Sequence, residues 1–307
     1  MTLGLMAAMI LAAGCGDDFV IPEPVYKPDT QKEEEETTEI PAVKPGKGRL
    51  VADGDDDATY SLISSCGYAY ETPDNSGEHA SAPFRHITQS YDDFLKRYVF
   101  NFILHIQNDD DRGKAEITDR QRNEIKTDSK SPEYMVAAEG ETLKLNWKFR
   151  LPEGMQTTTK FGHIHQLKGI DNSEGTADVD TPLITFTVRS VSGSKQQFQV
   201  IFNGPASVGP KNEYFTKCDL SGFLGQWVEA TETVTFSENG SYSLSIKRLS
   251  DGKELVNISR EGINLWREGT TGMRPKWGLY RSFGENRSAQ DQLRDEVLQF
   301  ADFCIVK

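Results

Sequence analysis

The sequence has few of the residues from which metal centres and nucleotide sites are built. Five of its 307 residues are histidine and four are cysteine. Neither a Cys-x-x-Cys pair nor a His-Glu-x-x-His motif occurs, so we expect no metal site, with calcium bound by oxygen ligands as the alternative. Gly-rich phosphate-binding loops of the P-loop and dinucleotide types are absent as well. The sequence therefore predicts a protein without a bound cofactor.

The cysteines do not supply a complete disulfide framework. Once Cys15 is set aside for the reason given below, three remain, and an odd number leaves at least one thiol unpaired. A single bridge is one alternative, but scattered cysteines of this kind are more typical of buried thiols. We therefore expect Cys66, Cys218 and Cys304 to be free.

Basic residues do not occur in runs, and the net charge is −13 at pH 7. Both features argue against nucleic-acid binding. Much of the negative charge lies in residues 16–57, which are Pro-rich, poor in large apolar side chains, and hold 13 acidic against 5 basic residues. Such a segment cannot bury enough apolar surface to offset its ordering entropy. We predict a disordered acidic tether over residues 16–57.

Apolar runs long enough to cross a membrane are also missing. Residues 1–15 form an apolar stretch that is too short for this purpose, and it predicts a secretory signal. Its end, Leu11-Ala12-Ala13-Gly14-Cys15, resembles a bacterial lipobox, although no Lys or Arg precedes the apolar core. The resemblance implies that Cys15 is acylated. We therefore expect a chain held in the cell envelope by a lipid anchor, at the outer membrane or cell surface.

Beyond the tether, the pattern is that of strands. Apolar and polar residues alternate over many short segments, and turn pairs such as Asn239-Gly240 and Asp251-Gly252 separate them. Helical patterns are confined to residues 90–95 and 289–298. Many strands with few helices predict an all-β fold over residues 58–307. The most plausible form is a β-jelly roll, a sandwich of two antiparallel sheets with a concave polar groove. We expect it to be a monomer.

Two histidines occur at a spacing of two inside one predicted strand, Phe161-Gly162-His163-Ile164-His165-Gln166-Leu167-Lys168-Gly169. Successive side chains on a strand point to opposite faces. His163 and His165 are therefore predicted to share one face, with Ile164 on the other. An exposed strand whose histidines have no role is the alternative for this segment taken alone.

Two further segments separate into a polar and a less polar face. Counting by twos from position 120 to 126 places four ionisable side chains on one face: Arg120, Arg122, Glu124 and Lys126. A strand face with this many ionisable groups is not expected to adjoin a dry core. In Arg274-Pro275-Lys276-Trp277-Gly278-Leu279-Tyr280-Arg281, the same count places Lys276 and Tyr280 together, opposite Trp277 and Leu279. The alternative for residues 120–126 is a solvated surface strand, and the alternative for Tyr280 is a tyrosine buried in the core.

The three segments together resemble the signature strands of the alginate-lyase-type polysaccharide lyases. Arg-Asn-Glu-Ile-Lys, His-Ile-His and Lys-Trp-Gly-Leu-Tyr stand where that family has R-x-E-L-R, Q-I-H and Y-F-K-A-G-x-Y, in the same order along a concanavalin-like jelly roll. The surrounding sequence also resembles the wider group that includes glucuronan and heparin-type lyases. The resemblance covers about two dozen residues in three blocks, and implies an acidic polysaccharide as substrate.

The resemblance assigns roles residue by residue. Arg122, Glu124 and Lys126 fall on the family's arginine, glutamate and second arginine, His165 on its catalytic histidine, and Tyr280 on its final tyrosine. The sequence departs from the family pattern at three positions: a histidine replaces the family's glutamine at position 163, a lysine replaces an arginine at 126, and a tryptophan replaces a small residue at 277. These changes leave open which uronic acid is the substrate more than which reaction is catalysed.

Cleavage by such an enzyme requires a base for the C5 proton of a uronic acid, an acid for the C4 oxygen, and neutralisation of the carboxylate. The resemblance implies His165 as base, Tyr280 as acid and as a second candidate base, and Arg122 with His163 as the carboxylate clamp. A tyrosine titrates at about 10, so the basic role requires cationic neighbours such as Lys276 or Arg281. Glu124 would orient Arg122 or Lys126 by a salt bridge. The remaining predicted substrate contacts are Gln166, Lys276, Arg281, Arg120 and Lys126.

Two other functions remain open. A non-catalytic carbohydrate-binding lipoprotein on the same fold would keep the cationic and aromatic side chains, but it has no need of an acid and a base. A jelly-roll glycoside hydrolase needs two carboxylates across the scissile bond, and the Glu-x-Asp-x-x-Glu pattern of laminarinase-like jelly rolls is absent.

Overall fold

The structure, a computed structural model, describes residues 47–75, 84–114, 116–192, 195–204 and 212–307. The chain divides into two units, residues 1–42 and 43–307, and every described residue belongs to the second. The predicted signal segment, Cys15 and most of the predicted tether therefore lie outside the described residues. Over the described ranges, no helix is long and apolar enough to cross a membrane.

Strands make up most of the described chain, as the alternating pattern predicts. A single α-helix among the described residues, α1 at Thr59–Ser65, lies near the start. In chain order the strands are β1 Arg49–Leu50, β2 Ala69–Glu71, β3 Ile87–Asp92, β4 Arg97–Leu104, β5 Arg120–Lys126, β6 Thr142–Arg150, β7 Gly162–Ile170, β8 Ile184–Ser190, β9 Gln196–Phe202, β10 Glu213–Asp219, β11 Trp227–Thr235, β12 Gly240–Arg248, β13 Glu254–Ile263, β14 Gly272–Ser282 and β15 Glu296–Val306.

The strands form two antiparallel sheets. One, which we call the back sheet, has the order β13-β12-β11-β6-β15-β4-β3, and β1 pairs with β15 beside it. The other, which we call the site sheet, has the order β10-β9-β8-β7-β14-β5-β2. Strand β14 lies between β7 and β5, so three segments distant in sequence become neighbours. The predicted all-β jelly roll of two antiparallel sheets is confirmed.

Aromatic side chains fill the space between the sheets. Trp147 of the back sheet lies with its ring centroid 5.8 Å from that of Phe186 and 5.7 Å from that of Trp277, both on the site sheet. Phe149 and Phe198 stack across the same space at 6.5 Å. Burying one such side chain contributes about 1.5–3 kcal/mol. The inner faces therefore hold the sandwich together, and the outer face of the site sheet carries the polar side chains.

The folded region begins earlier than predicted. Leu50 on β1 is fully buried and pairs with Phe303 of β15. The predicted boundary at residue 57 is therefore wrong, because a strand of two residues is too short to show a period-two pattern. The two predicted helices are wrong as well: residues 90–92 belong to β3, and residues 289–298 contain a short 3₁₀ turn and the start of β15.

The three cysteines at positions 66, 218 and 304 are free, as predicted, but they are half-buried and not fully buried. Burial raises the pKa of the Cys66 thiol above its usual value and that of Cys218 to about 11. Because the thiolate is the reactive form, both groups are poor nucleophiles at neutral pH. They contribute to packing and not to the chemistry discussed below.

Candidate functional site

Strand β5 turns its ionisable side chains to the outer face of the site sheet, as the period-two count predicts. Ile125 faces the opposite way and is fully buried in the core. Asn123 also points inward, where its amide donates hydrogen bonds to the backbone carbonyls of His86 and Ile103 at 2.8 and 2.9 Å. The outer face is left with the four predicted side chains, Arg120, Arg122, Glu124 and Lys126.

Strand β14 brings its polar residues beside those of β5. Tyr280 pairs with Arg122, and Lys276 pairs with Lys126, in an antiparallel register without interruption. Trp277 and Leu279 are buried between the sheets. The prediction that Lys276 and Tyr280 share a face is therefore confirmed.

Gly278 permits the close approach of β14 to β5. It has a φ of +142°, and a Cβ atom at this position would lie 2.1 Å from the backbone oxygen of Asn123. A non-glycine residue here is excluded by that contact. The glycine of the motif thus sets the spacing between the strand of Tyr280 and the strand of Arg122.

A β-bulge in β7 separates the two histidines that were predicted to share a face. His163 pairs with Thr187 of β8, whereas His165 pairs with Phe186, so two steps on β7 match a single step on β8. Ile164 and His165 are consequently both buried, at 1% and 0% exposure. The prediction of a shared face is wrong, because the extra residue of a bulge interrupts the alternation of side chains.

His165 lies in the core, not at the site. Its ring packs 4.6 Å from that of Trp147, its Nδ1 lies 2.8 Å from the backbone oxygen of Lys276, and its Nε2 lies 3.0 Å from Oε2 of Glu232. Tyr242 donates a hydrogen bond to the other oxygen of Glu232 at 2.7 Å. Both ring nitrogens of His165 are thus occupied, and the predicted role of this residue as base is not supported.

His163 remains on the outer face and is held neutral. Its Nδ1 lies 2.8 Å from the hydroxyl of Thr187, which in turn donates to the hydroxyl of Thr185 at 3.1 Å. Since the Thr187 proton is used in this way, Nδ1 of His163 carries the proton and Nε2 bears the lone pair. Burial, with the nearby cations Arg189, Arg122 and Lys276, lowers the pKa of His163 to about 3 against the opposing effect of a carboxylate.

Tyr280 lies between two guanidinium groups. Arg120 donates a hydrogen bond from Nη1 to the tyrosine hydroxyl at 2.9 Å, and Cζ of Arg122 lies 3.7 Å from the ring centroid. Phe161 packs against the tyrosine ring at 4.8 Å and stacks on His163 at 4.7 Å. Positive charge so placed favours negative charge that develops on the hydroxyl oxygen. The arrangement can support transfer of a proton to or from Tyr280.

Arg122 is held by three carboxylates. Its Nε donates to Asp111 at 2.8 Å, and its Nη1 donates to Glu71 and Glu124, each at 3.0 Å. The predicted salt bridge from Glu124 to Arg122 is confirmed, whereas Lys126 pairs with Glu71 at 3.0 Å. Glu71 was not predicted, because β2 is three residues long and shows no periodicity.

The same carboxylates bind Lys276 and Gln166. Lys276 is 1% exposed, and its ammonium lies 2.6 Å from Glu71 and 2.7 Å from Glu124. The amide of Gln166 donates to the second oxygen of Glu124. Burial alone would raise the pKa of both glutamates, but Lys276 and Arg122 outweigh it and hold each pKa below its usual range. This closed network fixes the positions of Lys276 and Gln166, two predicted substrate contacts.

Arg281 does not reach the site. It follows Tyr280 directly and therefore points to the other side of β14, where it is 3% exposed and donates from Nε to Gln121 at 2.6 Å. The prediction of Arg281 as a substrate contact and as a cationic neighbour of Tyr280 is wrong by the period-two rule itself. Arg120 is instead the cationic neighbour of the Tyr280 hydroxyl.

One group among the described residues has the composition of a metal site: His86, His105 and Asp109. The Nδ1 of His86 lies 2.5 Å from Asp74, and its Nε2 lies 2.9 Å from Asp109. Burial lowers the pKa of His86, but hydrogen bonds to these two carboxylates outweigh it and raise the pKa. The doubly protonated ring that this favours has no lone pair for a metal, so the cluster is explained as an internal ion pair.

Solved structures with the same fold include two alginate lyases. The PL-14 alginate lyase of Aplysia kurodai is 8% identical, with a TM-score of 0.55 over 87% of this chain and 100% of that one. A family 7 alginate lyase in complex with its product is 10% identical, with a TM-score of 0.50 over 78% and 94%. An endo-β-1,4-glucuronan lyase of Trichoderma reesei is 11% identical, with a TM-score of 0.49 over 78% of this chain and 94% of that one.

These likenesses confirm the predicted resemblance at the level of the fold. No protein-family model matches the sequence, and no curated protein matches it either.

Proposed function

We propose that this protein is a polysaccharide lyase that cleaves a uronic-acid-containing glycan by β-elimination. The observation that carries the proposal is the position of Tyr280, whose hydroxyl accepts a hydrogen bond from Arg120 and whose ring lies against Arg122, beside neutral His163. The alginate lyases that share the fold act on acidic polysaccharides, which supports a substrate of this class.

The reaction needs a base, an acid and positive charge. The base removes the C5 proton, the electron pair forms the C4–C5 double bond, and the C4–O bond breaks as the acid protonates the leaving oxygen. Negative charge develops next to the uronic carboxylate during the first step, so cations must neutralise that group.

Tyr280 is the proposed acid and the first candidate base, and neutral His163 is the second, because its lowered pKa makes it the weaker proton acceptor. The Nε2 lone pair of His163 accepts a proton while Nδ1 remains bonded to Thr187. Arg120 stabilises the phenolate that forms when Tyr280 gives up its proton. In this proposal His163 replaces His165 as the histidine of the reaction and is no longer part of the carboxylate clamp.

The substrate carboxylate is neutralised by Arg189, because the predicted clamp residue Arg122 is already paired with Asp111, Glu71 and Glu124. Arg189 lies on the outer face of β8, two residues beyond the Thr187 that bonds His163, and forms no ion pair within the described chain. Glu71, Glu124, Lys126 and Lys276 neutralise one another. Their network holds the strands in place and takes no proton.

The experiment that tests the proposal measures the ultraviolet absorbance of unsaturated product formed from alginate, glucuronan, heparin-type and ulvan-type glycans. Tyr280→Phe should lower the rate on the active substrate by about 10²–10⁴-fold. Tyr91→Phe is the matched control, since this tyrosine is exposed on β3 of the back sheet. Binding to an acidic glycan without product from any of them would favour the non-catalytic carbohydrate-binding protein.

We also propose that the protein is anchored in the cell envelope through an acylated Cys15. The lipobox-like sequence supports this. Mass spectrometry of the protein from a bacterial membrane fraction, compared with Cys15→Ala, tests it: a lipid adduct on the first residue of the mature chain is expected.

A further inference from the structure

The cations on the outer face of the site sheet fall into two groups. Those of β5, together with Lys276, each have a carboxylate within 3.0 Å. In the other group, no member forms an ion pair within the described residues: Lys168 on β7, Arg189 on β8, Lys217 on β10 and Arg274 on β14. The internal carboxylates thus neutralise one part of the face and leave another part positively charged.

Two of the unneutralised cations are direct neighbours. Lys168 and Arg274 occupy paired positions on β7 and β14, and both side chains are half-buried. Like charges opposite one another across a strand pair are destabilising. Burial and the nearby Lys276, Arg122 and Arg274 lower the pKa of Lys168 to about 8. The fold therefore tolerates a repulsion here that it removes elsewhere on the same face.

Arg274 also has an unused donor. Its Nη1 is buried and has no hydrogen-bond partner within the described chain. Glu71, Glu124 and Asp128 act on it electrostatically, but none of them forms an ion pair with it. A buried guanidinium nitrogen without an acceptor costs free energy that an incoming oxygen atom would recover. Carboxylates and sulfates present paired oxygens that match a guanidinium.

We propose that Lys168 and Arg274 form a second anion-binding position, which holds a carboxylate or sulfate group of the glycan away from the reacting sugar. Arg274 lies six residues from Tyr280 on β14, about 20 Å at about 3.3 Å per residue. An anion held here therefore belongs to another sugar unit. The inference rests on the proposed function and deepens it, because the substrate must carry negative charge on more than one unit.

The test compares Lys168→Gln, Arg274→Gln and the double variant with a control that also removes two charges. The control is Lys247→Gln with Lys253→Gln, two exposed lysines of the β12–β13 hairpin in the back sheet. Titration calorimetry measures binding of oligosaccharides of alginate and glucuronan, which are unsulfated, of a heparin-type glycan, and of a neutral glucan. We expect each single variant to weaken binding of anionic oligosaccharides about tenfold and the double variant about a hundredfold. The control pair and the neutral glucan should show no such change.

The outcomes separate the two proposals. Weaker binding of the unsulfated oligosaccharides identifies a carboxylate as the ligand, and weaker binding of the heparin-type glycan alone identifies a sulfate. If product forms and the double variant keeps the KM and the affinity of the unmutated protein, the anion position is refuted while the lyase stands. If no product forms but the affinity falls as expected, the anion position stands without the lyase. If no anionic oligosaccharide binds the unmutated protein, the anion position is refuted.

Discussion

Replacing Glu124 with glutamine tests whether the buried ion network holds the site sheet together. The carboxylate is fully buried, lies 2.7 Å from the ammonium of Lys276 and 3.0 Å from Arg122, and accepts a hydrogen bond from Gln166. Glutamine has nearly the same shape but no charge. The substitution therefore leaves Lys276 buried with Glu71 as its remaining carboxylate partner in the described chain.

The expected cost follows from this burial. Removing one partner of a buried ion pair costs about 3–5 kcal/mol, and we take the lower end, about 3 kcal/mol, because Glu71 still contacts Lys276. For a domain of this size each kcal/mol lowers Tm by about 2–4 °C. Glu124→Gln should therefore melt about 6–12 °C below the unmutated protein. The matched control is Glu229→Gln, a part-exposed residue 3.2 Å from Lys148, where we expect less than about 1 kcal/mol.

The loss should also depend on pH. The pKa of Glu124 is lower in the folded protein than in the unfolded chain, so its contribution is present above the unfolded value of about 4.3 and is lost as pH falls through the folded value. The difference between Glu124→Gln and the unmutated protein should be full at pH 7 and shrink below pH 4. Thermal unfolding followed by circular dichroism measures both the Tm difference at pH 7 and its change with pH. A Tm at pH 7 equal to that of Glu229→Gln would refute the reasoning.

Three further predictions concern residues away from the outer face. His165→Leu leaves the buried Glu232 with Tyr242 as its hydrogen-bond partner and should lower the free energy of unfolding by about 3 kcal/mol. The folded variant should keep its turnover number, and lost turnover at unchanged stability would contradict this assignment. Cys218, with a pKa of about 11, should react with iodoacetamide at pH 8 roughly a hundredfold more slowly than in urea, and equal rates would show an exposed thiol. His86→Asn should cost more stability at pH 6 than at pH 9, since its pKa is raised on folding and its contribution is lost as pH rises through the folded value; equal costs at both pH values would count against the ion pair.

Strands β5 and β14 show how much of the site can be predicted from the sequence. Their mutual register runs without a break from Lys276 to Ser282, so counting by twos gives the correct face for every residue of the motif. The same count correctly places Arg281 away from Tyr280, whereas its charge alone suggests a role at the site. Alternation is reliable here because an uninterrupted antiparallel pair keeps the period of two.

Strand β7 shows where the same reasoning fails and which signal was available. Counting forward from His163 puts His165 on the outer face, but counting back from Leu167, a core residue, puts it inside. The disagreement between the two counts is itself the mark of a bulge. Glu71 and Arg189 could not be found in this way, because their roles depend on side chains that approach from other strands.

The bulge in β7 also affects how this chain is compared with others. If a protein of the same fold lacks the extra residue, an ungapped alignment of the two strands pairs outer-face positions with core positions from this point to the end of the strand. A conserved histidine could then be matched to His165 while its spatial counterpart is another residue. Gain or loss of a single codon at Ile164 would exchange Gln166 for its neighbours on the outer face. The set of side chains that this strand turns to the outer face can thus change by insertion as well as by substitution.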